Sequence, residues 1–554
     1  MMEFNYKLFI KGCYILGLAV MVVFLPHSKI MVSIAQFWLA GTFALDRYDT
    51  GRWQSFFRET PHWKCILGAI PFSLSLLFNS ILKGLRAFFN NRPAWIFSSI
   101  FLMHLIGLIY TTDFDYAFKD IRTKLPIFLL PLFISTSPAF NRRYFYGFML
   151  LFAASVLTRT LMNSWNLFQG NFVDIRDISR SISHVVLALQ VSFVIFSLVY
   201  FILKRRAFSI GWKIVFGTVT IWLMVYLIIA KSTTGILITA ITLLMLAIIF
   251  IFLTKKLWLK ICLTVFLIIS VGVVAIYLGG IIKNYNRVKP VKFSNLDKLS
   301  PLGHPYINDT ISRQTENGYY LYIYIQPDEL RGAWNKRSSI PFNGRDKKNQ
   351  EIVNTLNRYL TSRGLRKDAG GMSQLSDDEI KAIEKGTANV IFTREFSIRG
   401  QIYELLWGFD EYQKTGDPTG SSQMQRLEFW KASLGIIKDN WLIGVGTGDM
   451  NEAFQQQYEK MNSKLAPDQR WRSHDQFLSI FVGFGIFGLL WFLFAILYPA
   501  IKLGKFRDYF FLVFFIIIML SMITEDTIES QLPVTFFAFF YAFFLFARQE
   551  DDKI

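Results

Sequence analysis

A histidine stands where a long polar segment gives way to an apolar run. Ser473-His474-Asp475 leads into Phe477 to Leu497, with Gly485 and Gly488 downstream. Imidazole takes up and returns protons near neutral pH, so at such a boundary it can serve as a base on a substrate anchored in a bilayer. Two glycines three residues apart let helices or lipid approach closely. The neighbourhood is dense in polar groups: Arg470 and Arg472 precede the histidine and Asp475 follows it. Upstream, Arg426 to Trp430 opens a helix ending at Asn440, before Gly444-Val445-Gly446-Thr447-Gly448-Asp449. That glycine run reads as a flexible turn after a helix. It is no dinucleotide fingerprint, because no strand precedes it and no helix opens at the needed spacing.

The remaining histidines have plainer readings. His104 lies inside an apolar helix, where a hydrogen-bonded packing role is the commoner one. His27, His62 and His304 sit beside prolines with no recognisable partner, and His184, near the outer end of a span, is expected to support an exterior site. Asp113-Phe114-Asp115 has the form of an acidic triplet that holds a divalent cation through a diphosphate. Topology puts it in an exterior loop, away from cytoplasmic nucleotide sugars. No metal, nucleotide or other cofactor is expected.

Composition says what must position these groups. With 554 residues, 53% hydrophobic, and 56 Phe, the chain carries too many apolar runs for one soluble core. Several reach the bilayer-spanning length of about 20 residues. The reading is an all-α polytopic membrane protein with about twelve transmembrane helices, near 8–26, 30–46, 95–111, 122–136, 144–163, 182–203, 214–230, 234–254, 258–280, 475–499, 508–524 and 532–547. The first of these is read as a retained helix, since no small-residue cleavage signature follows it. Placing both termini in the cytoplasm keeps Arg47 to Lys64, Arg142-Arg143, Lys204-Arg205-Arg206, Lys255-Lys256 and Lys502 to Arg507 inside, as the positive-inside rule asks. The apolar stretch Leu67 to Leu82, flanked by basic residues within 65–92, is read as a cytoplasmic interfacial helix or re-entrant hairpin. The net charge of +19 falls largely in these short loops, which argues for membrane lipids as partners and against nucleic acid. Cys13, Cys65 and Cys262 lie in or beside apolar segments, so neither a disulfide framework nor a thiolate metal site is indicated.

Three regions follow: 1–282 with the first nine spans, 283–473 as one large exterior domain between helices 9 and 10, and 474–554 with the last three spans and a short cytoplasmic tail. The exterior domain is expected to be mainly helical. Asn317-Gly318 precedes Tyr319 to Ile325, which reads as a strand, and Asn349 to Ser362 reads as an amphipathic helix. Ser376 to Glu379 has the form of a capped helix start, and Glu404 to Tyr412 and Gln425 to Ile437 are helical.

Arg426 with Trp430 four residues on, then Gly444 to Asp449, His474-Asp475 and Gly485-x-x-Gly488, resembles the O-antigen ligase family, within a superfamily that also holds O-antigen polymerases. The layout of many spans with one large exterior loop before the last ones is similar too. Its extra segment, about 294–391, resembles an insertion found in Bacteroidetes-type ligases. The resemblance implies a metal-independent glycosyltransferase of the bacterial inner membrane whose site faces the periplasm. It implies inverting transfer of a polysaccharide from undecaprenyl pyrophosphate to a sugar hydroxyl of the lipid A core. His474 matches the family's catalytic base and Arg426 one of its pyrophosphate-binding arginines. The second arginine sits in a Ser-Arg-Gly-like turn in the family, where this chain has Lys231-Ser232-Thr233-Thr234-Gly235. Lys231, Arg399, Arg176 or Arg180 is expected to supply that charge. Asp475 replaces the family's amide or hydroxyl; a carboxylate beside an imidazole orients it or strengthens it as a base. Glu525, in the acidic turn Thr524 to Glu529, is expected to contact the acceptor or His474. Trp430 and His184 complete the supporting set.

Two other functions fit parts of this pattern. An O-antigen or exopolysaccharide polymerase would use the same lipid-linked donor with a lipid-linked acceptor. A lipid or polysaccharide transporter should show paired repeats and charges deep in mid-span, and neither is evident.

Overall fold

The computed structural model describes residues 6–60, 62–169, 182–204, 208–393 and 397–548, with side chains left aside at 62–67. Arg176 and Arg180 therefore lie outside the described residues. The chain is an all-α polytopic membrane protein whose sole sheet, among the described residues, is a two-stranded ribbon. Nine described helices are long and apolar enough to cross a membrane: Tyr6–Phe24, Gly68–Asn90, Arg92–Tyr110, Arg142–Phe168, His184–Leu203, Ile210–Ile229, Thr233–Leu253, Leu257–Asn286 and Gln476–Lys502. Four further helices cover the other spans read from sequence. Tyr509–Thr524 and Gln531–Phe546 are apolar but 16 residues each, about 24 Å. Phe114–Thr136 carries Lys119, Asp120, Arg122 and Lys124, and Lys29–Asp46 is bounded by charge. The stretch Leu67 to Leu82, read as an interfacial helix or a re-entrant hairpin, is one continuous helix, His62–Asn90, with Pro71 inside it, which excludes the hairpin.

Contacts group the chain into two compact units. In the unit formed by 1–250 and 426–554, Gln531–Phe546 is buried on every face from Leu532 to Leu545. A helix apolar all round belongs at the centre of its bundle. Its phenylalanines interlock with neighbouring helices: the Phe540 ring lies 4.8 Å from that of Phe152 and 5.3 Å from that of Phe193. In lipid, where apolar surface gains little by leaving its surroundings, such shape-matched dispersion contacts hold helices together.

The second unit, 251–425, begins with Leu257–Asn286 and continues into short helices. Asn317 and Gly318 take φ of +50° and +85°, the mirror-image turn that Asn-Gly favours in hairpins. The ribbon they join, Thr315–Glu316 with Tyr319–Tyr320, is two residues long on each side. The strand read over Tyr319 to Ile325 thus stops early, and Tyr324 turns the chain at φ +56°. The amphipathic helix is present as Ile352–Ser362, burying Ile352, Leu356, Tyr359 and Leu360 against Trp334 and Met372. Helix Asp377–Glu384 begins with a reciprocal capping box between Ser376 and Glu379.

Candidate functional site

The site is built within the first unit, where three chain segments meet. Helix Gln476–Lys502 is capped by Asp475, whose carboxylate accepts from Leu478 N at 2.9 Å. This uses the side chain that sequence placed beside the imidazole. Burial pushes the Asp475 carboxyl above its usual range, opposed by the N–H groups of Leu478 and Phe477. His474 takes φ +48°. Histidine is among the few residues that enter this left-handed region with any frequency. The ring packs against Phe429, centroids 5.6 Å apart.

The carboxylate facing His474 is Glu525. Its Oε2 lies 3.7 Å from His474 Nδ1, and its Oε1 accepts from Arg426 Nη2 at 2.8 Å. The 3.7 Å separation is too long for a hydrogen bond but within ion-pair range, so Glu525 stands between the imidazole and the guanidinium. All three side chains are roughly one-quarter to one-third exposed, which leaves the cluster open to a substrate. Arg426 and Trp430 lie one turn apart on helix Ser422–Asp439. The Trp430 Nε1 is buried and makes no hydrogen bond among the described residues. A buried N–H without an acceptor is costly, so it marks a place where a ligand oxygen would be welcome.

What holds Glu525 in place is a buried charge network four residues along the same turn. Glu529 Oε2 accepts from Lys124 Nζ at 2.8 Å and from Arg472 Nη1 at 3.2 Å. Lys124 also pairs with Asp120, whose other oxygen lies 3.2 Å from His104 Nδ1. Burial alone would raise Glu529, but Lys124 and Arg472 outweigh it and hold the carboxyl below its usual range. Asp526 is shifted the other way: burial raises it, and Arg472 only partly opposes that. Asp526 accepts from Ser479 Oγ at 2.7 Å, and Gln476 Oε1 accepts from Ile528 N at 2.8 Å. These bonds clamp turn 525–529 onto the start of the histidine's helix. The sequence carries one sign of this network, Asp120 and Lys124 as a charged i,i+4 pair inside helix Phe114–Thr136.

The glycine run is a fitted joint, contrary to the flexible turn read from sequence. Helix Gln476–Lys502 is interrupted at Gly485, which takes φ +64° and ψ −165°. Val445 N and Gly446 N donate to Val482 O and Gly483 O, both at 2.9 Å, and Ile486 N donates to Trp441 O at 2.9 Å. A Cβ on Gly485 would lie 2.2 Å from Leu442 C and one on Gly444 2.4 Å from Gly483 C, so these two glycines serve backbone-to-backbone packing. Asp449 closes the joint by accepting from Thr112 N and Asp113 N at 2.9 and 2.8 Å. Asp113 itself caps helix Phe114–Thr136 through Tyr116 N at 2.9 Å. Asp113, the first acid of the triplet, is thereby engaged in backbone geometry.

The other expected site residues are placed elsewhere. Lys231 is exposed at φ +49° in the turn between Ile210–Ile229 and Thr233–Leu253. His184 is the first residue of His184–Leu203. Arg399 belongs to the second unit, its guanidinium carbon 5.4 Å from the Tyr403 ring centroid.

Residues 380–493 match the family model described as O-antigen ligase. This segment contains Arg426, Trp430 and His474, and the match supports membership of that family. No curated protein matches the chain.

Proposed function

We propose, from the match of residues 380–493 to the O-antigen ligase family model, that this chain is a member of that family of glycosyltransferase-like ligases and polymerases and joins a polysaccharide carried on undecaprenyl pyrophosphate to a sugar hydroxyl of the lipid A core. The reaction takes place at the periplasmic face of a bacterial inner membrane. The single observation that carries this reading is the position of Glu525 between His474 and Arg426.

The chemistry follows from that arrangement. His474 removes the proton of the acceptor hydroxyl as its oxygen attacks the anomeric carbon. The new C–O bond forms on the face opposite the leaving group, the bond from the anomeric carbon to the phosphate oxygen breaks, and undecaprenyl pyrophosphate departs with that electron pair. Glu525 offsets the positive charge that His474 gains. Arg426 exchanges its hold on Glu525 for the pyrophosphate, which a guanidinium fork binds through paired oxygens. Trp430 Nε1 donates to a further donor oxygen. Fixed charges of this kind act where charge develops in the transition state. The donor is already activated by its pyrophosphate, so the scheme calls on no metal ion.

Deleting the gene tests the proposal. A ligase mutant accumulates long lipid-linked polymer while its lipid A core stays bare. A core bearing a single repeat unit would instead assign the protein to polymerisation.

A further inference from the structure

The second unit contains a cavity of about 500 Å³ lined only by residues between Tyr285 and Lys414. Its size falls within the range of about 300–1,000 Å³ typical of small-molecule sites. The transfer chemistry uses none of its residues.

The cavity's polar groups are held ready. Glu316 accepts from Arg358 Nε at 2.6 Å and from Asn389 Nδ2 at 2.8 Å, and Asn389 also reaches Asn317 at 3.1 Å. Side chains fixed in this way present defined donor and acceptor directions to a ligand. Asn357 Oδ1, also in the lining, is buried and makes no hydrogen bond among the described residues. An acceptor in that condition favours a ligand rich in O–H or N–H donors. Apolar surface is present beside it. Trp407 is 39% exposed, with the Arg358 guanidinium carbon 5.0 Å from its ring centroid. An electron-rich indole face suits the C–H side of a flat, polar ring.

Charge narrows the class further. Arg313, Arg358 and Lys414 are matched by Glu316, Asp410 and Glu411, so the lining carries no net charge. Asp410 is engaged by the Tyr285 hydroxyl at 2.8 Å, as Glu316 is by Arg358. The lining therefore carries no surplus of cations to draw a phosphate or a polyanion. We propose that this cavity is a binding site for a neutral oligosaccharide, one or two sugar rings of which lie against Trp407 with a hydroxyl donating to Asn357. The site holds glycan without transferring it, and its argument does not depend on the reaction assigned to His474.

Binding of the detergent-solubilised full chain to a panel of neutral oligosaccharides, uronate-containing oligosaccharides and inorganic phosphate tests this. Neutral members of the panel should bind, Trp407→Ala should weaken them about tenfold or more, and Asn357→Ala about fivefold. Trp407→Phe should restore part of the affinity, which a merely misfolded domain would not do, and His474→Ala should leave it within about twofold. The proposal is overturned if no neutral oligosaccharide binds, if phosphate or uronate probes bind instead, or if Trp407→Ala leaves binding unchanged. A bare-core phenotype with no glycan binding would sink the cavity assignment alone, and binding without a bare core would sink the ligase reading alone.

Discussion

Lys124 and Glu529, 405 residues apart in sequence, meet at 2.8 Å with side chains only 1% and 5% exposed. This pair joins helix Phe114–Thr136 to the turn that carries Glu525, so it ties the bundle's packing to the placement of the carboxylate facing His474. Removing one partner of a buried pair leaves an uncompensated charge, at about 3–5 kcal/mol. Lys124→Met should therefore lower the thermal midpoint sharply in detergent. Glu529→Gln, which still accepts hydrogen bonds, should do less harm. A Lys124→Met midpoint equal to wild type would contradict the network's structural role.

Asp526 gives a pH prediction whose sign is fixed by its environment. Its folded carboxyl is raised by burial, so the native state binds the proton more tightly than the unfolded chain does. Stability from this group is present below the ordinary carboxylate range and is lost as pH climbs through the raised value. Asp526→Asn keeps an acceptor for Ser479 and removes the ionisation. The variant should melt above wild type at pH 7, and the gap should close on acidification toward pH ~4. Melting curves across that range decide it; a gap that widens toward acid would refute the assignment. Glu529, held low, works in the opposite direction: its contribution fades as pH falls through the carboxylate range.

Gly485 occupies a conformation that only glycine enters readily, with Leu442 backbone where a Cβ would go. Gly485→Ala should cost on the order of 3 kcal/mol or more and cut the yield of folded protein. Gly272→Ala, with open space around the added carbon, serves as the control and should be silent. Equal yields from the two variants would mean that the joint between the glycine run and the broken helix tolerates separation.

Glu525→Gln keeps the hydrogen bond to Arg426 but removes the charge facing His474. The expected loss in transfer rate is about 10- to 100-fold with an unchanged melting temperature. Arg426→Lys should lose a comparable factor, since an ammonium cannot reproduce a two-pronged grip on pyrophosphate. Wild-type rates in either variant, measured with lipid-linked donor and purified acceptor, would remove Glu525 or Arg426 from the chemistry.

Much of this was legible from composition and spacing. Runs of Phe, Leu and Ile fix a multi-pass helical membrane protein, and the polar-to-apolar step at His474 together with Arg426 and Trp430 marks the segment that the family model matches. The acidic turn containing Glu525 was also visible. Hidden from sequence were the relations that depend on folding. Sequence pairs Asp475 with its neighbour His474, yet the helix start it must cap takes its carboxylate, and Glu525 arrives from about 50 residues farther along the chain. Lys124 and Asp120 look like surface charges until Glu529 and Arg472 close over them. The glycine run looks loose because many of its hydrogen-bond partners are distant in sequence, at His104 to Asp113 and at Val482 and Gly483. Tyr319 to Ile325 has strand composition, but Tyr324 turns the chain instead of extending it.

The central claim is that His474 is the base for glycan transfer. It is tested most directly by expressing His474→Ala in a deletion strain and separating its lipopolysaccharide by gel. The account predicts a membrane-inserted protein at normal abundance, a bare lipid A core and accumulated lipid-linked polymer. A full polysaccharide ladder at wild-type intensity would contradict it.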